Sequence, residues 1–232
     1  MEEREATFGD DLAASLSVWR AAPALPLITA VLAILFNLPD IVGPAATLIS
    51  LPAALVLAGF AGTQRIWYLR VFRGRTLARE LLWPMTLAFT GRYIVLGSLV
   101  GIPFALFVVP LVLSVSGVGA RALVTVPLVF VADFIGTFVT SALAFSTKRV
   151  LEAISIGWRT LWGGWPATAP YALVAPLVVL ALGQTLGRSI TGAGALAVGV
   201  AGTLLTLLCK GATTAYYLRV HDVGEYGAAV LQ

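Results

Sequence analysis

The chemistry open to this chain is bounded by its reactive residues. Of 232 residues, one is histidine, one is cysteine and eleven are Asp or Glu. A metal site needs three or four His, Cys or carboxylate ligands converging, and His221 and Cys209 stand in no such cluster. Ser–His–Asp catalysis would need an activated serine beside His221, and no spacing suggests one. Glu2 and Glu3 pair two carboxylates at the extreme terminus, with no histidine inside an apolar run to join them. No Walker-type or Rossmann-type glycine loop occurs. The expectation is a non-enzymatic chain with no metal and no cofactor. Cys209, deep in an apolar run, is expected to act as a small apolar filler.

The polar residues that invite a chemical reading lie inside apolar runs. Asp133 sits in Val131-Ala132-Asp133-Phe134. A carboxylate at the bilayer centre costs about 2.5–3.5 kcal/mol, so it must face a bundle interior and be paired or protonated. Thr137 and Ser141 follow at i+4 and i+8, with Gly136 and Thr140 alongside. A second stripe, Thr203, Thr206, Lys210, Thr213 and Tyr217, shares one face of the last apolar run. Lys210 is a base well inside that run, placed to reach toward Asp133. Ser50, Ala54, Ala58 and Ala61 form a small-residue face that ends at Arg65. Together these stripes predict an intramembrane polar seam of Asp133, Thr137, Ser141, Thr203, Thr206 and Lys210. Two roles fit it. Ser and Thr bond across helices, and a buried Asp–Lys pair fixes register; alternatively the seam lines a transport pathway. Lys210 also has the length to snorkel to the interface without meeting an acid.

The composition dictates what must hold these residues. The chain is 59% apolar and 11% charged, with a mean hydropathy of +0.95. Soluble globular chains run about 45–50% apolar and about 25% charged. Soluble globular, disordered and disulfide-framework classes are thereby excluded. The fold class is an all-α polytopic membrane protein forming a single integral membrane domain. A span needs about 20 apolar residues. Hydropathy predicts six spans, at 21–42, 45–66, 93–113, 122–145, 166–186 and 193–218, arranged as three helical hairpins. Of fifteen Lys and Arg, Arg121 and Arg188 alone fall on the side opposite the rest. The positive-inside rule then places both termini in the cytoplasm. All six tryptophans lie near that same side. No cleavable signal or lipid-anchor motif is expected. The Ala-, Gly- and Arg-rich composition points to the plasma (inner) membrane of a prokaryote.

Each hairpin is preceded by a shorter amphipathic stretch, read as a cytoplasmic helix lying in the headgroup plane. Phe8, Leu12, Leu16 and Trp19 keep helical spacing in the first, with Asp10, Asp11 and Arg20 off that face. Leu77, Leu81, Met85 and Phe89 do so in the second, 76–92, which Pro84 interrupts. Ile154, Trp158, Leu161 and Trp165 do so in the third. Ser15-Leu16-Ser17-Val18-Trp19-Arg20 resembles Ile154-Ser155-Ile156-Gly157-Trp158-Arg159, and Tyr68-Leu69-Arg70-Val71 resembles Tyr217-Leu218-Arg219-Val220. These likenesses predict a threefold repeat over about 1–75, 76–145 and 146–232. Arg65, Arg70, Arg73, Arg75 and Arg79, with Trp67 and Trp83, are expected to meet anionic lipid headgroups. The topology signal alone also accounts for such arginines, and for a pI of about 9.6 without nucleic acid as a partner.

Two family resemblances enter here. Ser146-Thr147-Lys148-Arg149-Val150-Leu151-Glu152-Ala153, leading into Trp158-Arg159 and a proline-rich span, resembles the membrane domain attached to some glycerophosphoryl diester phosphodiesterases and its stand-alone relatives. In the attached cases catalysis belongs to a soluble barrel, whose His and carboxylate cluster this chain lacks. The resemblance implies a helical membrane domain that faces lipid, and no catalytic residue. Glu152-Ala153 with Gly157 resembles the coupling-helix motif of ATP-binding-cassette importer permeases, with the glycine five rather than six residues after the glutamate. It implies a partner-coupling helix carrying Glu152, Gly157, Trp158 and Arg159. The leading expectation is a lipid-interacting or partner-binding module whose partners are anionic lipids, a second copy or a membrane complex. The alternative is a transporter or permease subunit with a polar pathway near Asp133 and Lys210. A cavity reaching the seam favours the latter; a closed, dry bundle favours the former.

Overall fold

The computed structural model describes residues 6–114, 136–185 and 192–224. Among these no strand occurs, and the chain is built of helices α1 (Phe8–Ala21), α2 (Ala24–Phe36), α3 (Pro39–Val42), α4 (Thr47–Phe72), α5 (Arg79–Ser114), α6 (Gly136–Phe145), α7 (Val150–Gly163), α8 (Ala169–Thr185) and α9 (Ala193–Val220). A 3-10 turn, Pro44–Ala46, leads into α4. Three stretches are long and apolar enough to cross a membrane: Pro44–Phe72, Arg79–Pro103 and Ala193–Val220. Helices α1 and α2 pass that test only together, and they are bent by 91°. The described helices thus supply three spans, or four with the bent pair counted as one, against the six expected from hydropathy. Asp133 and most of the expected fourth span lie outside the described residues.

The bend has a local cause. Thr7 caps α1, its hydroxyl accepting from the Asp10 N–H while its own N–H donates to the Asp10 carboxylate at 2.8 Å. Pro23 carries no N–H and cannot continue the α1 ladder, so the chain turns and restarts as α2. The face that α1 buries differs from the one its apolar spacing predicts. Asp11, Ser15 and Val18 are buried, while Leu16 is exposed. In a bilayer the apolar phase is outside the protein, so an amphipathic helix gains by turning its polar groups toward other protein groups. Ser15 Oγ donates to the Leu208 carbonyl at 2.8 Å, and Trp19 Nε1 donates to the Tyr68 hydroxyl at 2.6 Å. Gly211 makes this approach fit: a Cβ there would fall 2.0 Å from Ser15 Oγ and 2.5 Å from the Tyr68 ring.

The second amphipathic stretch is not a separate interfacial helix. Residues 79–92 are the opening turns of the 36-residue α5, continuous with the segment expected to span. The expected stripe is real, but its target is α4: Leu77, Met85 and Phe89 are buried. Two glycines explain why. A Cβ on Gly59 would lie 1.9 Å from Thr90 Oγ1, and one on Gly62 would lie 2.3 Å from the Phe89 ring. The Thr63 and Thr86 hydroxyls bond at 3.1 Å across the same seam. Pro84 lies inside α5, where it removes the hydrogen bond to the Glu80 carbonyl without ending the helix. Helices α4 and α5 therefore form an antiparallel hairpin closed by a short arginine-bearing turn, with Gly74 at φ +67°.

The third amphipathic stretch, α7, docks on α6. Gly157 is buried, and a Cβ there would lie 2.5 Å from the Val139 backbone. Thr160 Oγ1 bonds His221 Nε2 at 2.9 Å just beyond α9, where burial holds the imidazole below its ordinary pKa. The tryptophans of this stretch face outward. Trp158, Trp162 and Trp165 are exposed and follow one another at 5.6 Å between ring centroids.

If Gly62 sets the α4–α5 distance, Gly62→Ala should lower stability by about 1–3 kcal/mol. A Cβ on Gly91 would meet nothing within 4 Å, so Gly91→Ala should be neutral or raise stability by about 0.5–1 kcal/mol. Unfolding in mixed micelles, read by tryptophan fluorescence, distinguishes the two.

Candidate functional site

The site begins with Arg65. Its guanidinium cannot shed its charge, yet the residue is only 2% exposed within α4. A buried charge is stable only when hydrogen-bonded. Nη1 donates to Ser141 Oγ at 2.8 Å; Nη2 donates to Thr140 Oγ1 at 2.7 Å and to the Thr137 carbonyl at 3.2 Å. One turn of α6 supplies all three acceptors. The Thr140 and Ser141 hydroxyls in turn donate to the Thr137 carbonyl, at 3.1 and 3.0 Å. That leaves each hydroxyl's lone pairs aimed at Arg65.

Lys210 enters from α9. Its Nζ donates to Gln64 Oε1 at 3.4 Å, and Gln64 Nε2 donates to Thr29 Oγ1 on α2 at 2.9 Å. Neighbouring residues of α4 thus carry two links, Arg65 to α6 and Gln64 to α9 and α2.

Between these links lies a cavity of about 220 Å³. Arg65, Lys210, Tyr93 and Tyr171 line it, with the hydroxyl-bearing Thr137, Thr140, Thr206 and Thr213 between them and Cys209 on the α9 wall. Helices α4, α5, α6, α8 and α9 all contribute, and no carboxylate lines it among the described residues. Its polar groups stand among apolar wall from Ala61, Gly136 and Ala175, and the space has room for a few waters or a small ligand.

One wall is tied to α1. The Tyr171 hydroxyl donates to Asp11 Oδ2 at 2.5 Å, and Arg219 donates to both Asp11 oxygens, at 2.5 and 2.7 Å. The Asp11 side chain is 4% exposed and that of Arg219 40%. Helix α1 thus holds Tyr171, on the cavity wall, by its ion-paired carboxylate and by the Phe8 ring, edge-on to Tyr171 at 4.9 Å.

The sequence-predicted residues divide as follows. Thr137, Thr206 and Lys210 share the cavity lining, and Ser141 lies behind it as an Arg65 ligand. Thr203 stands apart, its hydroxyl returned to the Gly199 carbonyl at 2.9 Å. Two residues expected at lipid headgroups are corrected by the structure. Arg65 is buried on the α6 acceptors, and Trp67 is buried in the core. Both point into the bundle because α4 continues to Phe72, so Arg65 falls within the helix rather than at its end. Arg73, Arg75, Arg79 and Trp83 are exposed, and Arg70 is half-buried against the Thr76 carbonyl. Arg73 also donates to the Val223 and Gly224 carbonyls. On α7, Glu152 accepts from Thr147 Oγ1 at 2.7 Å, while Trp158 and Arg159 are exposed. Gly157, read as part of a coupling motif, packs at the α6–α7 crossing. Asp133 lies outside the described residues.

Sequence reasoning missed Tyr93, Tyr171, Gln64 and Asp11. Asp11 had a signal: it stands four residues before Ser15 on α1, and both face inward. Among the described residues no group of three His, Cys, Asp or Glu converges to hold a metal. The chain matches no protein-family model, no curated protein and no solved structure.

Asp11→Asn removes the carboxylate from a half-exposed arginine. Screening on the Arg219 side limits the loss to about 1–2 kcal/mol. Tyr171→Phe removes a bond to a charged acceptor, about 1.5–3 kcal/mol, and should cost at least as much. Denaturation midpoints of the two variants in one detergent check that order.

Proposed function

We propose that this chain is a non-enzymatic integral membrane protein that binds a small anion in the Arg65–Lys210 cavity, as the binding site of a transporter or permease subunit. The observation that carries this reading is the cavity lining: two cations and several hydroxyls, with no carboxylate among the described residues, inside an apolar bundle. In a low-dielectric site an anion between two cations is held far more strongly than in water. Ionisable residues inside a membrane bundle mark ligand or ion pathways more often than scaffolding. We place the protein in a prokaryotic plasma membrane with six crossings and with both termini and the arginine-rich turn at the cytoplasmic face, as the distribution of Lys and Arg favours.

A second reading, a lipid-interacting module, draws on a different observation. The exposed row Trp158, Trp162 and Trp165, with exposed Trp83 and the exposed arginines of the α4–α5 turn, suits a headgroup interface. The cavity favours the permease reading for the bundle itself; the tryptophan row describes how the bundle is seated.

Cys209 tests the cavity directly, because it is the chain's single cysteine and lines the wall beside Lys210. In proteoliposomes an anionic methanethiosulfonate reagent should react about tenfold faster than a cationic one of similar size, since local potential concentrates the matching charge. Lys210→Gln should erase that preference. Equal rates for both charges in the native chain, or no reaction with either, would count against an anion site.

A further inference from the structure

A second place on the molecule combines charge and apolar surface, away from the cavity. The first turn of α7 and the middle of α5 enclose a groove of about 710 Å³. Arg92, Lys148 and Arg149 stand at one part of its lining, and Val95, Leu99 and Leu151 form the rest of its wall. Lys148 and Arg149 are exposed, and Leu151 is 71% exposed. Val95 and Leu99 follow Arg92 by three and seven residues, so both lie on its side of α5. The apolar wall therefore leads away from the cations for about 10 Å along the helix axis. Glu152 also borders the groove, accepting from the Thr147 hydroxyl at 2.7 Å, so the lining carries three cations against one carboxylate and stays net positive.

We propose that this groove is a binding site for one anionic phospholipid. The phosphodiester sits among Arg92, Lys148 and Arg149, and an acyl chain lies along Val95 and Leu99. Charge complementarity selects an anion. The apolar wall, continuous with the cations on a stretch able to cross a membrane, favours an amphiphile over a free anion, because one lipid meets the charged and the apolar parts together. The tryptophan row begins on α7 at Trp158, two turns beyond Leu151, continues to Trp162 and ends at Trp165 just past the helix, and it marks the same headgroup level. The site rests on the lipid-contact reading only in seating the protein in a bilayer; it is independent of the anion cavity.

The test uses the full chain in phosphatidylcholine nanodiscs, with retained lipid counted by native mass spectrometry on release into detergent. Phosphatidylglycerol doped into the discs should be retained as one molecule per chain, in preference to phosphatidylcholine. Lys148→Gln with Arg149→Gln, both exposed and outside the cavity lining, should lower its retention about thirtyfold, as expected for removing two headgroup-level cations. Arg75→Gln with Arg79→Gln, equally exposed, should leave it unchanged. Leu99→Asn should weaken retention with every cation still present. Inorganic phosphate at millimolar concentration should not displace the lipid.

Three results would each overturn the site. Retention that falls equally in the two arginine-bearing pairs shows diffuse attraction. Displacement by inorganic phosphate shows a free-anion site. Phosphatidylglycerol preference that survives Lys148→Gln with Arg149→Gln places the lipid elsewhere. Absence of any such preference would fail the lipid-contact reading together with the groove.

Discussion

A guanidinium that cannot lose its proton must bring its acceptors with it into an apolar bundle. Arg65 does so, and much of the fold follows from that requirement. Its acceptors are two hydroxyls and a carbonyl on a single turn of α6. Helix α6 must therefore present residues 137–141 to α4 in one rotation and at one height. The neighbouring Gln64 reaches the other way, to Lys210 on α9 and Thr29 on α2. Two adjacent residues of α4 thus position three other helices by polar contact. The cavity is the space those contacts leave, and its positive lining follows from two basic residues being held there.

The remaining packing is governed by glycine and by the inversion of inside and outside that a membrane imposes. Gly59 and Gly62 bring α5 onto α4, Gly157 brings α7 onto α6, and Gly211 admits α1 and Tyr68 against α9. Each is a place where backbones or rings come closer than a Cβ permits. Apolar side chains can face lipid at little cost, so specificity in this bundle is carried by close approach and by hydrogen bonds. Helix α1 shows the second effect. Its Asp11 and Ser15 turn inward to Arg219, Tyr171 and the Leu208 carbonyl, while Leu16 is left outside.

Composition alone marks this chain as a helical membrane protein, because no soluble core needs so few charges. The polar stripes were legible as well: Thr137, Ser141, Thr206 and Lys210 are spaced to share faces, and the structure gathers them near one another. Arg65 was ambiguous. It ends a small-residue face and also begins a run of arginines, and the rule that counts arginines at span ends gives it the second role. Hydropathy ends the span at Ile66, whereas α4 runs on to Phe72, and that one extra turn and a half decides the matter. The stripe of Leu77, Met85 and Phe89 was visible, but periodicity does not say whether a partner helix or a lipid surface receives it. The facing glycines on α4 settle that question only when the two helices are seen together. Tyr93 and Tyr171 reach the cavity from helices with no polar stripe, so no spacing could have pointed to them.

The central claim is that Arg65 is fastened to the α6 turn and thereby shapes the cavity. A double-mutant cycle of Arg65→Gln and Ser141→Ala, measured by reversible unfolding in mixed micelles, tests it most directly. A charge-assisted bond in a buried setting predicts a coupling energy of at least about 1 kcal/mol between the two substitutions. Losses that add to within about 0.5 kcal/mol would contradict the account, because α4 and α6 would then not meet through this arginine.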